Sequence, residues 1–94
     1  MPEKTVIIGS RSGLHARPAK MFVQAAARQG VAVRIRVGDR PPVPATSMLG
    51  VLALGAEHGT AVILQADGPG AEEALDSLAE LLSRDLDAEE PADA

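Results

Sequence analysis

Hydrophobic residues recur along this chain in two rhythms that take turns. Val6, Ile7 and Ile8 close a short segment, residues 3–8, that stops at Gly9, which predicts a first strand. Gly9-Ser-Arg-Ser-Gly13 reads as a loop. From about Ala16 to Arg28 the apolar positions Ala19, Phe22, Val23 and Ala26 fall on one helix face, and Gly30 ends the pattern. Over residues 31–37 the rhythm changes to strict alternation. Val31, Val33, Ile35 and Val37 point one way and Ala32, Arg34 and Arg36 the other, as in a strand with one buried face. Residues 38–40 form a turn. Pro41, Pro42 and Pro44 then restrict residues 43–45 to at best a short edge strand.

Thr46 or Ser47 is placed to cap a short helix that runs to about Leu54 and stops at Gly55. Residues 57–59 read as a turn and residues 60–66 (TAVILQA) as an apolar strand. After the turn at 67–70, a helix is expected over 71–86. Its stripe is Leu75, Leu78, Leu82 and Leu86, flanked by Ala71, Ala74 and Leu81. Glu72 and Glu73 lie in its first turn, where the helix dipole favours carboxylates. Residues 87–94, DAEEPADA, are acidic and aperiodic and are expected to form a disordered tail behind a single domain over 1–86. The order β-α-β-β-α-β-α predicts an α+β sandwich, with three helices on one face of a four-stranded antiparallel sheet.

Composition narrows the chemistry. The 94 residues contain no cysteine, which excludes disulfides, thiolate zinc sites, iron–sulfur clusters and a thiol nucleophile. Two histidines far apart in sequence, His15 and His58, do not make a metal site, and no cofactor is expected. No apolar run approaches the length of a membrane span, and the first residues lack the pattern of a signal peptide, so a cytoplasmic protein without membrane insertion is expected. Phe22 is the single aromatic residue; nucleic acid is therefore not an expected partner, because single-strand and RNA binders need aromatic stacking platforms.

Charge is unevenly spread. Residues 1–40 hold eight of the nine basic residues against two acids, a net +6, whereas residues 41–94 hold one basic residue against eleven acids, a net −10. Either the two halves neutralise each other on folding, or the basic half meets an acidic partner or an anion. Four of the acids lie in 87–94, so residues 1–86 are neutral overall.

Reactive side chains converge in one place, Gly13-Leu-His-Ala-Arg-Pro18. His15 stands where a glycine-bearing loop becomes a helix, with a helix start between 16 and 18. The first amides of a helix are unpaired donors and carry the positive end of its dipole, a ready anion site. Arg17 adds a guanidinium suited to phosphate, and Pro18 presets the helical φ without leaving a donor idle. Both positive groups favour the neutral imidazole, whose ring nitrogen attacks with its lone pair and needs no general base. The bland alternative is that His15 caps a helix and Arg17 is a solvated surface residue.

The segment GLHARPA at 13–19 resembles the active-site motif of HPr, the histidine-containing phosphocarrier family of the bacterial phosphoenolpyruvate:sugar phosphotransferase system. Ser47-Met-Leu-Gly-Val-Leu-Ala-Leu-Gly55 is similar to the family's second-helix segment, and Gly59-Thr60 before an apolar strand also matches. The likeness runs over about residues 3–86. It implies a sheet of order 1-4-2-3 under three helices and a monomeric, stoichiometric phosphoryl carrier used in sugar transport. By the same resemblance, His15 takes a phosphoryl group on its δ1 nitrogen from phospho-enzyme I and donates it to enzyme IIA domains. Arg17, with the Ala16 and Arg17 amides and Ser12, would stabilise that group. Lys20, Met21, Gln24, Met48, Leu49 and Leu52 would form the partner surface, with Leu52 also open to a half-core role.

Ser47 matches the family's regulatory serine, the target of a kinase in some lineages, where a phosphate would weaken docking of acidic partners. As a plain helix N-cap it needs no regulation, and the cap is the preferred reading. A regulatory paralogue that binds other proteins, such as a transcription regulator, or that serves a nitrogen-related branch is the alternative function. His58 matches no functional position of the family and is expected as a solvated loop residue.

Overall fold

The computed structural model describes residues 2–86, so the expected tail over 87–94 lies outside the described residues. The elements are β1 (Glu3–Ile7), α1 (Ala16–Ala27), β2 (Val33–Arg36), β3 (Val43–Pro44), α2 (Met48–Ala53), β4 (Ala61–Ala66) and α3 (Ala71–Ser83). The four strands form one antiparallel sheet in the order β1-β4-β2-β3. The most continuously apolar strand, β4, pairs on both sides, while the proline-rich segment supplies the edge strand β3, where missing donors cost no ladder bonds.

Alternation decides which face is covered. Val6, Val33, Ile35, Val62, Leu64 and Ala66 are buried beneath the helices. Helix α3 lies over β1 and β4 and buries Leu75, Leu78 and Leu82, and α1, which packs against α3, buries Phe22. Phe22, fully buried, is worth about 2–3 kcal/mol of apolar transfer alone. The opposite sheet face carries Glu3, Thr5, Arg34, Arg36, Gln65 and the half-exposed Ile7. There Gln65 Nε2 donates to Glu3 across the β1–β4 pair (2.6 Å), and Arg36 donates to the Gly38 carbonyl.

Most element ends lie within a residue or two of the expected ones, and two of the differences have clear causes. The strict alternation over 31–37 yields a shorter strand; at its start the ladder partners run out, because Val33 already faces the last residue of β4, Ala66, while at its other end it stops at Arg36, opposite Ile63. The last helix ends at Ser83 instead of continuing to Leu86. Arg84 turns extended (φ −86°, ψ 155°), and Leu86 reaches the core from beyond the helix, fully buried.

The break at Ser83 follows from what docks there. The Gly9 amide donates to the Leu82 carbonyl (2.9 Å), and the Leu86 amide donates to Ser10 Oγ (3.0 Å). Ser10, the one buried polar residue among those described, thus spends its hydroxyl on the chain leaving α3. Only glycine permits this approach: a Cβ at position 9 would collide with the Ser83 carbonyl oxygen and lie 2.7 Å from its carbon. Both obstacles are backbone, so they cannot step aside as a flexible side chain would. Gly9→Ala is expected to destabilise the fold by about 2 kcal/mol, lowering Tm by roughly 8–15 °C in a calorimetric scan, as overpacking against fixed atoms does. An unchanged Tm would contradict this account of the joint.

Candidate functional site

The segment from Ile8 to Leu14 leads from β1 into α1, and backbone bonds fix it on two sides. Toward the residues preceding β4, the Ile8 amide donates to Thr60 O (3.0 Å), the Gly59 amide to Ile8 O (2.9 Å) and the Leu14 amide to Ala56 O (2.8 Å). Toward the end of α3, the Gly9 and Ser10 bonds are reinforced by Asp85, which accepts from the Arg11 amide (3.2 Å) and from Arg11 Nε (2.9 Å). Inside the loop, the Gly13 amide donates to Ser10 O (3.0 Å), closing a turn. Gly13 has φ +76°, and a Cβ there would sit 2.6 Å from Ala56 O. Both the sign of φ and the closeness of the next layer require glycine.

This loop delivers His15 to the N-terminus of α1. His15 is the N-cap residue with extended backbone (φ −133°, ψ 165°), but its side chain makes no capping bond. The imidazole therefore does not itself close the helix by a capping bond. The imidazole is half-buried and has no hydrogen-bond partner among the described residues. The Arg17 guanidinium, also half-buried, likewise has no acid or acceptor beside it among the described residues. The amides of Ala16 and Arg17 precede the first intrahelical donor, Ala19, whose amide reaches His15 O at 3.4 Å; Pro18 offers none. A ring nitrogen, two amides and a guanidinium therefore meet at one helix end without neutralising one another.

Ala16 is the one non-glycine residue with positive φ among those described, at +48°. For an alanine this costs on the order of 1 kcal/mol, and the packed structure on either side has to sustain it. The strain lies in the peptide that follows the candidate nucleophile.

The remaining expected residues fall into two groups. Lys20, Met21 and Gln24 follow on successive turns of α1, with Lys20 and Gln24 exposed and Met21 half-buried. Helix α2 packs beside α1 and carries Met48 and Leu52, which are half-buried against the core instead of openly exposed, and Leu49, which is 82% exposed. Ser47, not Thr46, caps α2: its Oγ accepts from the Gly50 amide (3.1 Å). Arg40 donates to the Leu54 carbonyl at the other end of that helix, where a cation suits the dipole. Ser12 lies exposed in the turn before Gly13.

His58 sits in an exposed turn, as expected, with one contact that its surroundings in the sequence do not indicate: its Nδ1 lies 3.3 Å from Ser10 O, across the loop that carries His15. No local pattern in the sequence marks Ser10 or Asp85, because their partners lie 74 to 76 residues away. Among the described residues no three metal-ligating side chains converge, and no helix is long and apolar enough to cross a membrane.

Comparison with known proteins places this arrangement. The family model described as "PTS HPr component phosphorylation site" matches residues 2–84. The phosphocarrier protein HPr of Streptomyces coelicolor is 49% identical over 87 residues, covering 93% of this chain and 94% of that protein. The phosphocarrier protein HPr of Haloferax volcanii is 45% identical over 82 residues, 86% of this chain and 92% of its own length. Among solved structures, the crystal structure of HPr from Bacillus anthracis superposes with a TM-score of 0.81 at 36% identity, covering 86% of this chain and 95% of that one.

The strain at Ala16 has a direct test. Ala16→Gly is expected to be neutral or stabilising by up to about 1 kcal/mol, because glycine accepts positive φ freely. Gln24→Gly, exposed in the same helix, is expected to cost about 0.8 kcal/mol. Equal destabilisation of the two variants in urea unfolding would show that Ala16 carries no strain.

Proposed function

The chain belongs to the HPr family of phosphocarrier proteins, and from that premise we propose that His15 is the residue that carries the phosphoryl group, received from phospho-enzyme I and passed to enzyme IIA domains of a sugar-uptake system. The observation that carries this reading is the unpartnered His15 ring at the head of α1, with Arg17 and two helix amides beside it. The Nδ1 lone pair attacks phosphorus, the bond between phosphorus and the donor breaks, and the donor keeps the electron pair. The neutral ring loses no proton in order to attack. The incoming oxygens then meet the Ala16 and Arg17 amides and the guanidinium. Hydrogen bonds to a charged group are worth about 1.5–3 kcal/mol each, so even two of them dominate the local energetics.

The partner surface in this reading combines Lys20, Met21 and Gln24 of α1 with Met48, Leu49 and Leu52 of α2, while Ser12 borders the phosphoryl site. The basic groups meet acidic partner surfaces, and the exposed Leu49 supplies apolar contact that the fold itself does not use. Ser47 enters as the cap of α2. A phosphate on its Oγ would add nearly two negative charges within this surface and oppose docking of acidic partners, which is the regulatory role the family resemblance suggests.

Incubation with enzyme I, phosphoenolpyruvate and magnesium (which enzyme I requires) is expected to add one phosphoryl group, acid-labile and alkali-stable, detected by mass. His15→Ala should abolish it and His58→Ala should retain it at the end point, whereas Arg17→Ala should slow its formation about tenfold or more. Labelling that survives His15→Ala would refute the assignment. A second measurement isolates the surface. Leu49→Ala is expected to leave stability within about 0.5 kcal/mol, because the side chain is already in water, yet to weaken binding to enzyme I about tenfold. Unaltered affinity would remove Leu49 from the interface.

A further inference from the structure

We propose that His58 is a positioning residue for His15, acting through a hydrogen bond from its Nδ1–H to the carbonyl oxygen of Ser10. The proposal rests on the phosphocarrier reading only for its kinetic consequence; the bond itself is a property of the unphosphorylated protein.

The chemistry of the contact fixes its direction. His58 Nδ1 lies 3.3 Å from Ser10 O. A carbonyl oxygen can only accept, so the nitrogen facing it must carry the proton; a ring lone pair in that position would be repelled. The neutral ring is therefore the Nδ1–H tautomer. Ser10 O has two lone pairs, one for the Gly13 amide at 3.0 Å and one for His58.

The ring is held ready on its own side. The turn that bears it is closed by the Thr60 amide donating to Glu57 O (3.0 Å) and by the Glu57 amide donating to Thr60 Oγ1 (3.1 Å). The Gly59 amide, bonded to Ile8 O, pins the same turn to the end of β1. His58 thus projects from a fixed base.

Its target is the hinge of the His15 loop. The Ser10–Gly13 turn sets the position of Gly13, which packs on Ala56 and Glu57, and of Leu14, whose amide is bonded to Ala56. His15 follows at once. The ties described between residues 56–60 and this loop are all backbone bonds or backbone packing, apart from that of His58. Without that tie the Ser10 carbonyl keeps one donor, and the Ser10–Gly13 turn is held to the 56–60 segment only by the backbone bonds at Ile8 and Leu14, so the turn between them, and His15 just beyond it, is less sharply positioned.

The test uses the full chain as wild type, His58→Ala and His58→Asn, the last retaining a side-chain N–H near the position of Nδ1. Because His58 is exposed, all three are expected to fold with similar Tm. Nitrogen-15 spectra of the ring, recorded where it is neutral, should show Nδ1 protonated and Nε2 bare, and the Gly13 amide resonance should shift in His58→Ala and return in His58→Asn. The rate of phosphoryl transfer from phospho-enzyme I should fall about three- to fivefold in His58→Ala and recover to within about twofold in His58→Asn, a loss in keeping with one neutral hydrogen bond at an exposed site. An Nε2–H ring, equal rates in all three proteins, or a loss that His58→Asn fails to restore each overturns the proposal. If the wild type accepts no phosphate at all, the phosphocarrier reading fails, while the ring tautomer and the Gly13 shift still decide whether the bond exists.

Discussion

The fold turns on a loop whose two sides are both backbone. The residues from Ile8 to Leu14 lie between the 56–60 segment and the end of α3, bonded to each through Thr60, Ala56, Leu82 and the Ser10 hydroxyl. Two glycines allow it, one for each side: position 9 has no room for a side chain against Ser83, and position 13 has none against Ala56. Because amides and carbonyls do most of the holding, the geometry depends on few side chains, the Ser10 hydroxyl first among them, but is intolerant of a single added methyl at either glycine. The Arg11–Asp85 pair adds a charge-assisted clasp, discounted by its exposure to solvent, as is the Lys4–Asp76 pair between β1 and α3.

That constraint explains how the site can afford to be under-satisfied. A half-buried arginine with no acid, two helix amides with no acceptor and an alanine at φ +48° all raise the free energy of the resting state. A mobile loop would relieve them by letting the helix start unwind or the guanidinium swing to the nearest carboxylate. Here Asp85, an acid beside the loop, is occupied by Arg11, and backbone bonds on both sides restrain the loop. The same bonds that hold the fold therefore keep the groups at the head of α1 open.

How far the sequence disclosed this depends on the range of each interaction. Alternation over 31–37 and the leucine stripe of the last helix identified the buried faces, since periodicity reports burial directly. Ser47 was legible as a cap because its partner, Gly50, is three residues on. His15 and Arg17 stood out through a short motif whose chemistry is local. By contrast, the end of α3 at Ser83 was not legible: Leu86 keeps the stripe's spacing and is buried, but what stops the helix is a glycine and a serine more than seventy residues earlier. His58 looked idle for the same reason, its partner Ser10 being 48 positions away. Nor does composition reveal that Met48 and Leu52 turn partly inward while Leu49 stays in water, which depends on how a six-residue helix is rolled against α1.

A carrier differs from a binding protein in what it should not do well. In the proposed reading, a group held too firmly on His15 would be accepted and never released, and each charge-assisted hydrogen bond worth about 1.5–3 kcal/mol shifts the transfer equilibrium by more than tenfold. The arrangement at the head of α1 offers few such bonds: two amides and one guanidinium that is half open to solvent, where its attraction to phosphate is screened. The histidine, like the arginine, is only half-buried, which in this reading leaves a phosphoryl group on it open to an incoming partner. Moderation of this kind needs a rigid loop, because a flexible one would wrap the phosphate with every available donor. Rigidity upstream of His15 and restraint in the donors around it are thus one requirement, met by the glycines that let two backbones approach the loop and by the proline that leaves a gap in the row of amides.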